Sequence, residues 1–495
     1  MFKTKDQQFI KLIITVALVL QSLLLLENPV QAWYNDDWHY REKITIENGA
    51  VNGAGALTNF PIYIKLNHLS SHFFDYVNSD GSDIRVTDNL DNLVAREVAY
   101  ISTTNNAGEL YFIASSLSAT DNSDYYLYYG NTTATEPAAN GAYAKESVWV
   151  NNYVGVWHFT QDPWYYGAKD STSNNYDCSQ SGNMNVNDLV SGKVNYALDF
   201  DGSNDYLECG SSINTALQSQ ANMSFSGWFK RRANSDPIAT GPYHSGGELL
   251  GTLTTDADVK SNAGRTSYGY NSSNDTNWHY LNWLYNGAQT GNNAEALKLY
   301  YDGSATTLSF SGTVDATTAS TYDSSFRIGT PGNQGTFTNG FWDEIRYATV
   351  TRSADWAKTE YNNLNSPATF YSISAYETGT DAAAPTVVSY SPSDGSTGVR
   401  YNTSLTIVFN EHIDTQSGNI TVKKSSDNST VQTIAANSAS VTGNGTTTLT
   451  ININDLSGNN GYYLQIASGA IKDLSANSYA GIADTTTWNF TTQSM

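Results

Sequence analysis

Apolar and polar residues alternate one by one along much of this chain, and that period leaves little choice of architecture. Ile62, Ile64 and Leu66 carry it, as do Phe225, Gly227 and Phe229. It returns in Leu297, Leu299 and Tyr301, in Leu405, Ile407 and Phe409, and in Leu449, Ile451 and Ile453. A period of two is the pattern of strands with one buried face. Asn, Asp and Gly clusters separate the runs, as tight turns require. One convincing helix start is present: Ser353 is placed to N-cap a helix over Ala354–Asn362, which must end before Pro367. The expected fold class is all-β, with three consecutive β-sandwich or jelly-roll domains, since 495 residues allow about three units of roughly 150.

Charge narrows the partners. Asp and Glu number 47 against 25 Lys and Arg, a net charge of −22, so nucleic acid is not an expected partner. Two cysteines exclude both a disulfide-dense mini-domain and a Cys-built zinc site. Residues 1–32 read as a signal peptide: Lys3, Lys5 and Lys11 precede an apolar run from Leu12 to Leu26, and Val30-Gln31-Ala32 supplies small residues for cleavage. That run is short for a membrane span, and no other segment approaches one. Removing it also takes Asp6 and Glu27, so the acidic excess grows by one unit. Export places Cys178 and Cys209 in an oxidising compartment, where a bridge is expected and two free thiols are the alternative.

Two stretches poor in strand formers, Thr132–Gly141 and Thr378–Pro385, divide the rest. The first domain is expected over 33–135. Its Trp38-His39-Tyr40-Arg41-Glu42-Lys43-Ile44-Thr45-Ile46, Asp80-Gly81-Ser82-Asp83-Ile84-Arg85 and closing Tyr128-Tyr129-Gly130-Asn131 resemble a family of uncharacterised function that opens many secreted prokaryotic proteins. The resemblance implies a β-sandwich outside the cell. His68 and His72 sit four apart, but without a carboxylate at metalloprotease spacing they read as ordinary loop histidines.

The second domain is expected over 150–376. Ala197-Leu198-Asp199-Phe200-Asp201-Gly202, Ser224-Phe225-Ser226-Gly227-Trp228, Trp278-His279, Leu299-Tyr300-Tyr301-Asp302-Gly303 and Asp343-Glu344-Ile345-Arg346 occur in that order. The series resembles the laminin-G-like, concanavalin A-like jelly roll, a family that often carries a structural calcium. The resemblance makes Asp201 and Asp343 the candidate metal ligands. Related sandwiches include glycanases with paired carboxylates on one strand. Asp343 and Glu344 are adjacent, so on a regular strand they face opposite ways, and no E-x-D-x-x-E occurs. No residue is expected to be catalytic.

Ligand binding is the remaining reading. Trp164, Tyr165 and Tyr166 lie in a loop with Asp and Gly neighbours, and Tyr243-His244 lies in a Gly-rich stretch. Flat aromatics at a sandwich rim suit sugar stacking, and packing beneath the loop is the alternative.

The third domain is expected over 385–492. Leu405–Glu411, Ile413-Asp414, Gly461–Ile466, Ile471-Lys472-Asp473 and Trp488-Asn489-Phe490-Thr491 resemble a bacterial Ig-like domain of S-layer and adhesin stalks. The resemblance implies a spacer and gives Glu411 and Asp414 no catalytic role. The combined expectation is a secreted or cell-surface protein that is not an enzyme. Its presumed work is adhesion or binding of a glycan or cell-surface polymer. A structural stalk without a specific ligand is the second reading, and a carbohydrate-active enzyme is the third.

Overall fold

The computed structural model describes residues 33–494 except 36, 235, 245–246, 249–255, 262–264, 271–274, 290, 311, 332–335, 380–383 and 474. Side chains of 243–244, 247–248, 256–261 and 265–270 are likewise not described. The expected signal peptide and the side chains of Tyr243 and His244 therefore lie outside the described residues. Among the described residues, no helix is long and apolar enough to cross a membrane.

The chain is all-β, as its period-two runs require. An N-terminal sandwich pairs Leu57–Lys65, Ala107–Leu117 and Arg96–Ser102 in one sheet. Its other sheet is built on Tyr40–Ile46, Ser123–Tyr129 and Arg85–Asp88. Two strands that come much later in the chain complete that second sheet: Tyr371–Ile373 and Glu377–Thr378 both pair with Tyr40–Ile46. His68 and His72 both meet this returning segment. The Tyr371 hydroxyl lies 3.1 Å from His68 Nδ1, and His72 stacks on Tyr376 with ring centroids 3.7 Å apart.

The middle unit has a large sheet in which Asn339–Ala348 runs between Asn222–Arg231 on one side and Tyr196–Asp201 plus Tyr153–Trp157 on the other. Its inner face, with Leu198, Phe225, Phe229, Trp342 and Tyr347, packs on a smaller sheet that includes Tyr206–Gly210 and Phe326–Ile328. The outer face is also buried. Val156, Trp228, Tyr280 and Ala348 share one core with Ile62, Tyr111 and Phe112 of the N-terminal sandwich. The two units thus lie face to face across a shared core, and the apolar surface buried there holds them together.

The expected helix begins at Ser353, whose Oγ accepts from the Trp356 N–H at 3.1 Å, and it runs three residues beyond expectation, over Ala354–Asn365. Trp356 and Leu364 on it belong to the shared core. Several helices of four to six residues, which strand periodicity does not reveal, sit in the loops.

The C-terminal unit has two five-stranded sheets around a core of its own, centred on Leu405, Ile407, Leu449, Leu464 and Trp488. Its strand Leu405–Thr415 alternates buried and half-buried residues over most of its length. That is the pattern the sequence displays.

Candidate functional site

Trp164, Tyr165 and Tyr166 form a single helical turn, Pro163–Tyr166. Asp162 caps it by accepting from the Trp164 N–H at 2.9 Å, and Pro163 presets its first position. Gly167 ends it at φ 61°. A Cβ there would collide with the Cys178 carbonyl, so glycine is needed for the close approach that follows. Ala168 and Cys178 exchange backbone hydrogen bonds of 2.9 and 2.8 Å, and Cys178 is bridged to Cys209 as expected. A short, well-anchored turn therefore carries three aromatic rings outward. They are 52%, 77% and 59% exposed, which removes the alternative that they pack beneath the loop.

Both stems of this turn line a polar cleft of about 240 Å³ between the two units. Gln161 comes from one stem and Lys169 from the other, Glu97 and Ala99 come from the N-terminal sandwich, and His158 also lines the cleft. The aromatic rings stand beside this cleft and do not line it.

Beneath His158 lies a buried ionic cluster with no counterpart among the residues expected to form a site. The strand Asn339–Ala348 carries a bulge: Ser226 pairs with Arg346 and Trp228 with Asp343, so two residues oppose Gly227. Glu344 takes φ 54° at this point. The extra residue breaks the alternation. Trp342, Ile345 and Tyr347 face the core of the middle unit, while Asp343, Glu344 and Arg346 all turn toward the N-terminal sandwich. The expectation that Asp343 and Glu344 face opposite ways fails for this reason.

His158 is the pivot of the cluster. Its Nδ1 lies 2.5 Å from Glu344 Oε1, its Nε2 lies 3.4 Å from Glu97 Oε2, and its ring stacks on Tyr111 at 4.5 Å. Glu97 also accepts from Trp149 Nε1 and from Ser171 Oγ at 2.6 Å. Arg346 donates to Glu344 Oε2 at 2.7 Å and to Glu360 Oε1 at 2.9 Å. Burial alone would push His158 down, but the Glu344 and Glu97 carboxylates outweigh it and carry it up to about 10. Burial would push Glu344 up, yet His158 and then Arg346 hold it at about 2. Glu97 is lowered despite burial, chiefly by His158. Glu109 and Asp343 go the other way: burial, then the Glu344 charge, raises both well above the usual carboxylate range. An imidazolium thus sits between two carboxylates, with two carboxyls beside them that burial and the Glu344 charge make harder to ionise.

The two calcium candidates are not brought together. Asp201 pairs with Asn339, which leaves Asp343 four residues further along the neighbouring strand, about 13 Å away. Asp201 Oδ1 caps a turn, accepting from the N–H groups of Ser203, Asn204 and Asp205 at 2.7, 3.1 and 3.4 Å. Asp343 is fully buried, and its Oδ2 accepts from the Val194 N–H at 2.8 Å. The pair does not fit one shared calcium ion. Glu97, Glu109 and His158 carried only a faint sequence signal, charged or imidazole side chains within or at the end of strongly apolar strands.

No curated protein matches the chain. Among solved structures it is similar to domain 4 of an extracellular arabinanase from Geobacillus stearothermophilus in complex with arabinotriose. Identity there is 17%, with 43% of this chain and 98% of that chain covered at a TM-score of 0.30. A Trypanosoma rangeli sialidase is similar at 14% identity over 50% of this chain and 42% of that one, at a TM-score of 0.31. A botulinum neurotoxin type C structure, whose cell entry depends on two ganglioside molecules, is similar at 11% identity over 64% and 71%, at a TM-score of 0.28. Residues 381–492 match the family model of the bacterial Ig-like domain, in keeping with the separate core and paired sheets of the C-terminal unit.

Proposed function

We propose that this chain is an exported, non-catalytic protein of the cell exterior that binds glycan through the Trp164-Tyr165-Tyr166 turn of a laminin-G-like unit. The carrying observation is that three consecutive aromatics, each more than half exposed, are held on an anchored turn whose stems line a polar cleft. The apolar C–H face of a sugar stacks on such rings, while polar groups of the cleft meet its hydroxyls. Export through the 1–32 leader is part of the same reading, and the Cys178–Cys209 bridge agrees with an oxidising compartment. The Ig-like unit then serves as a spacer. A stalk without a specific ligand is the second reading, favoured by that unit's separate core.

A glycan array with wild type, followed by titration of any hit against Trp164→Ala and Tyr165→Ala, tests the proposal. The variants should bind roughly tenfold more weakly, the equivalent of about 1.4 kcal/mol, with an unchanged melting temperature because both rings are exposed. If wild type retains no glycan, or both variants bind as wild type does, the stalk reading replaces this one.

A further inference from the structure

We infer that Glu109, His158 and Glu344 form a binding site for one first-row divalent transition ion, enclosed between the N-terminal sandwich and the jelly roll and reached through the cleft that His158 lines. One donor atom from each of the three residues lies within 4.8 Å of the others, so a small inward movement of the side chains lets one ion reach all three with bonds of about 2.0–2.2 Å. A second observation points to a ligand. Glu109 is fully buried, yet neither of its carboxyl oxygens makes a hydrogen bond of ordinary length. Buried polar atoms of a folded protein are almost always satisfied, so an unpartnered buried carboxyl beside an imidazole and a second carboxylate marks a place for a ligand.

The donor set selects the ion class. Calcium and magnesium take oxygen ligands, whereas an imidazole with two carboxylates suits zinc, manganese or iron. Residues around the three are arranged to hold them. Arg346 fixes the second oxygen of Glu344 at 2.7 Å, and Tyr111 stacks on the His158 ring at 4.5 Å. Outer partners of this kind set ligand orientation at metal sites. The cleft gives an entry path, because Glu97 and His158 line both the cleft and the cluster. Ligation needs an imidazole lone pair and ionised carboxylates, so uptake of the ion releases protons.

The test uses tag-free, full-length protein stripped with a chelator, then equilibrated separately with Zn²⁺, Mn²⁺ and Ca²⁺ and desalted for elemental analysis. Wild type should retain one Zn²⁺ per chain and no Ca²⁺. Glu109→Gln should bind Zn²⁺ at least tenfold more weakly while folding normally, since the amide keeps the shape of a side chain that has no hydrogen-bond partner to lose. Asp201→Asn, which alters only an exposed turn cap, should bind as wild type does. X-ray absorption of zinc-loaded wild type should show one nitrogen neighbour among oxygens, a reading that needs no variant. The inference is overturned if wild type retains no transition ion, if Glu109→Gln retains it equally, if calcium is preferred, or if the bound zinc has no nitrogen ligand.

Discussion

Replacing Arg346 with Ala lowers the stability of the fused N-terminal and middle units by about 3–5 kcal/mol, the cost of stranding buried charges. Arg346 is 2% exposed and serves two carboxylates at once, Glu344 at 2.7 Å and Glu360 at 2.9 Å. Its guanidinium also lies 5.1 Å from the Trp149 ring centroid and 5.5 Å from that of Tyr111. Without it, Glu344 is left with His158, and Glu360 with neutral partners such as the Asn282 amide at 2.8 Å. Urea unfolding followed by circular dichroism reads the effect. Two transitions are expected, because the C-terminal unit has its own core, and only the one belonging to the fused pair should move. A triple variant, Arg346→Met with Glu344→Gln and Glu360→Gln, should recover at least half the loss, because it removes the charges together and leaves none unpaired. A loss below about 1 kcal/mol for Arg346→Ala would show that the cluster is wetter and weaker than its burial implies.

What could be read from residues alone divides along physical lines. Strand alternation is local, so the all-β class was legible from Ile62-x-Ile64 or Leu405-x-Ile407 without any partner strand in view. The helix over Ala354–Asn365 was legible for the same reason, because Ser353 caps its own next turn. The bulge at Glu344 was not. It depends on how Asn339–Ala348 registers against Asn222–Arg231, with two residues facing the single Gly227, and that mismatch is a property of the pair of strands. The return of Tyr371–Ile373 to the strand Tyr40–Ile46 was equally hidden, because it joins segments more than 300 residues apart.

The candidate site divides in the same way. Trp164, Tyr165 and Tyr166 were identifiable as a run, but only the structure decides between an exposed platform and a packed loop. The ionic cluster draws Glu97 and Glu109 from one unit and His158 and Glu344 from the other, so neither unit's sequence displays it whole. Burying five carboxyls there (Glu97, Glu109, Asp343, Glu344 and Glu360) is affordable only because the two sandwiches close over the cations that pair with some of them.

Removing the Cys178–Cys209 bridge should lower the stability of the fused units by roughly 3–4 kcal/mol, the chain-entropy value for a separation of this size. The bridge spans 31 residues, and both cysteines are buried. Ser179 and Ser181 already pair with Glu208 and Tyr206, so the native strands stay adjacent without it. Its effect is therefore mainly to restrict the unfolded chain, and the Cys178→Ala/Cys209→Ala double variant should fold to the same structure with a lower urea midpoint. One local consequence follows from the anchoring of the aromatic turn. Ala168 is tied to Cys178 by two backbone hydrogen bonds, so loosening Cys178 loosens the segment that carries Trp164, Tyr165 and Tyr166. Chymotrypsin should then cut at these exposed rings faster in the double variant than in wild type, well before global unfolding. Alkylation of denatured wild type should add no label before reduction and two labels after it. Labelling without reductant, or equal midpoints for variant and wild type, would remove the bridge from the account of stability and leave the turn anchored by Gly167 and the strand pairing alone.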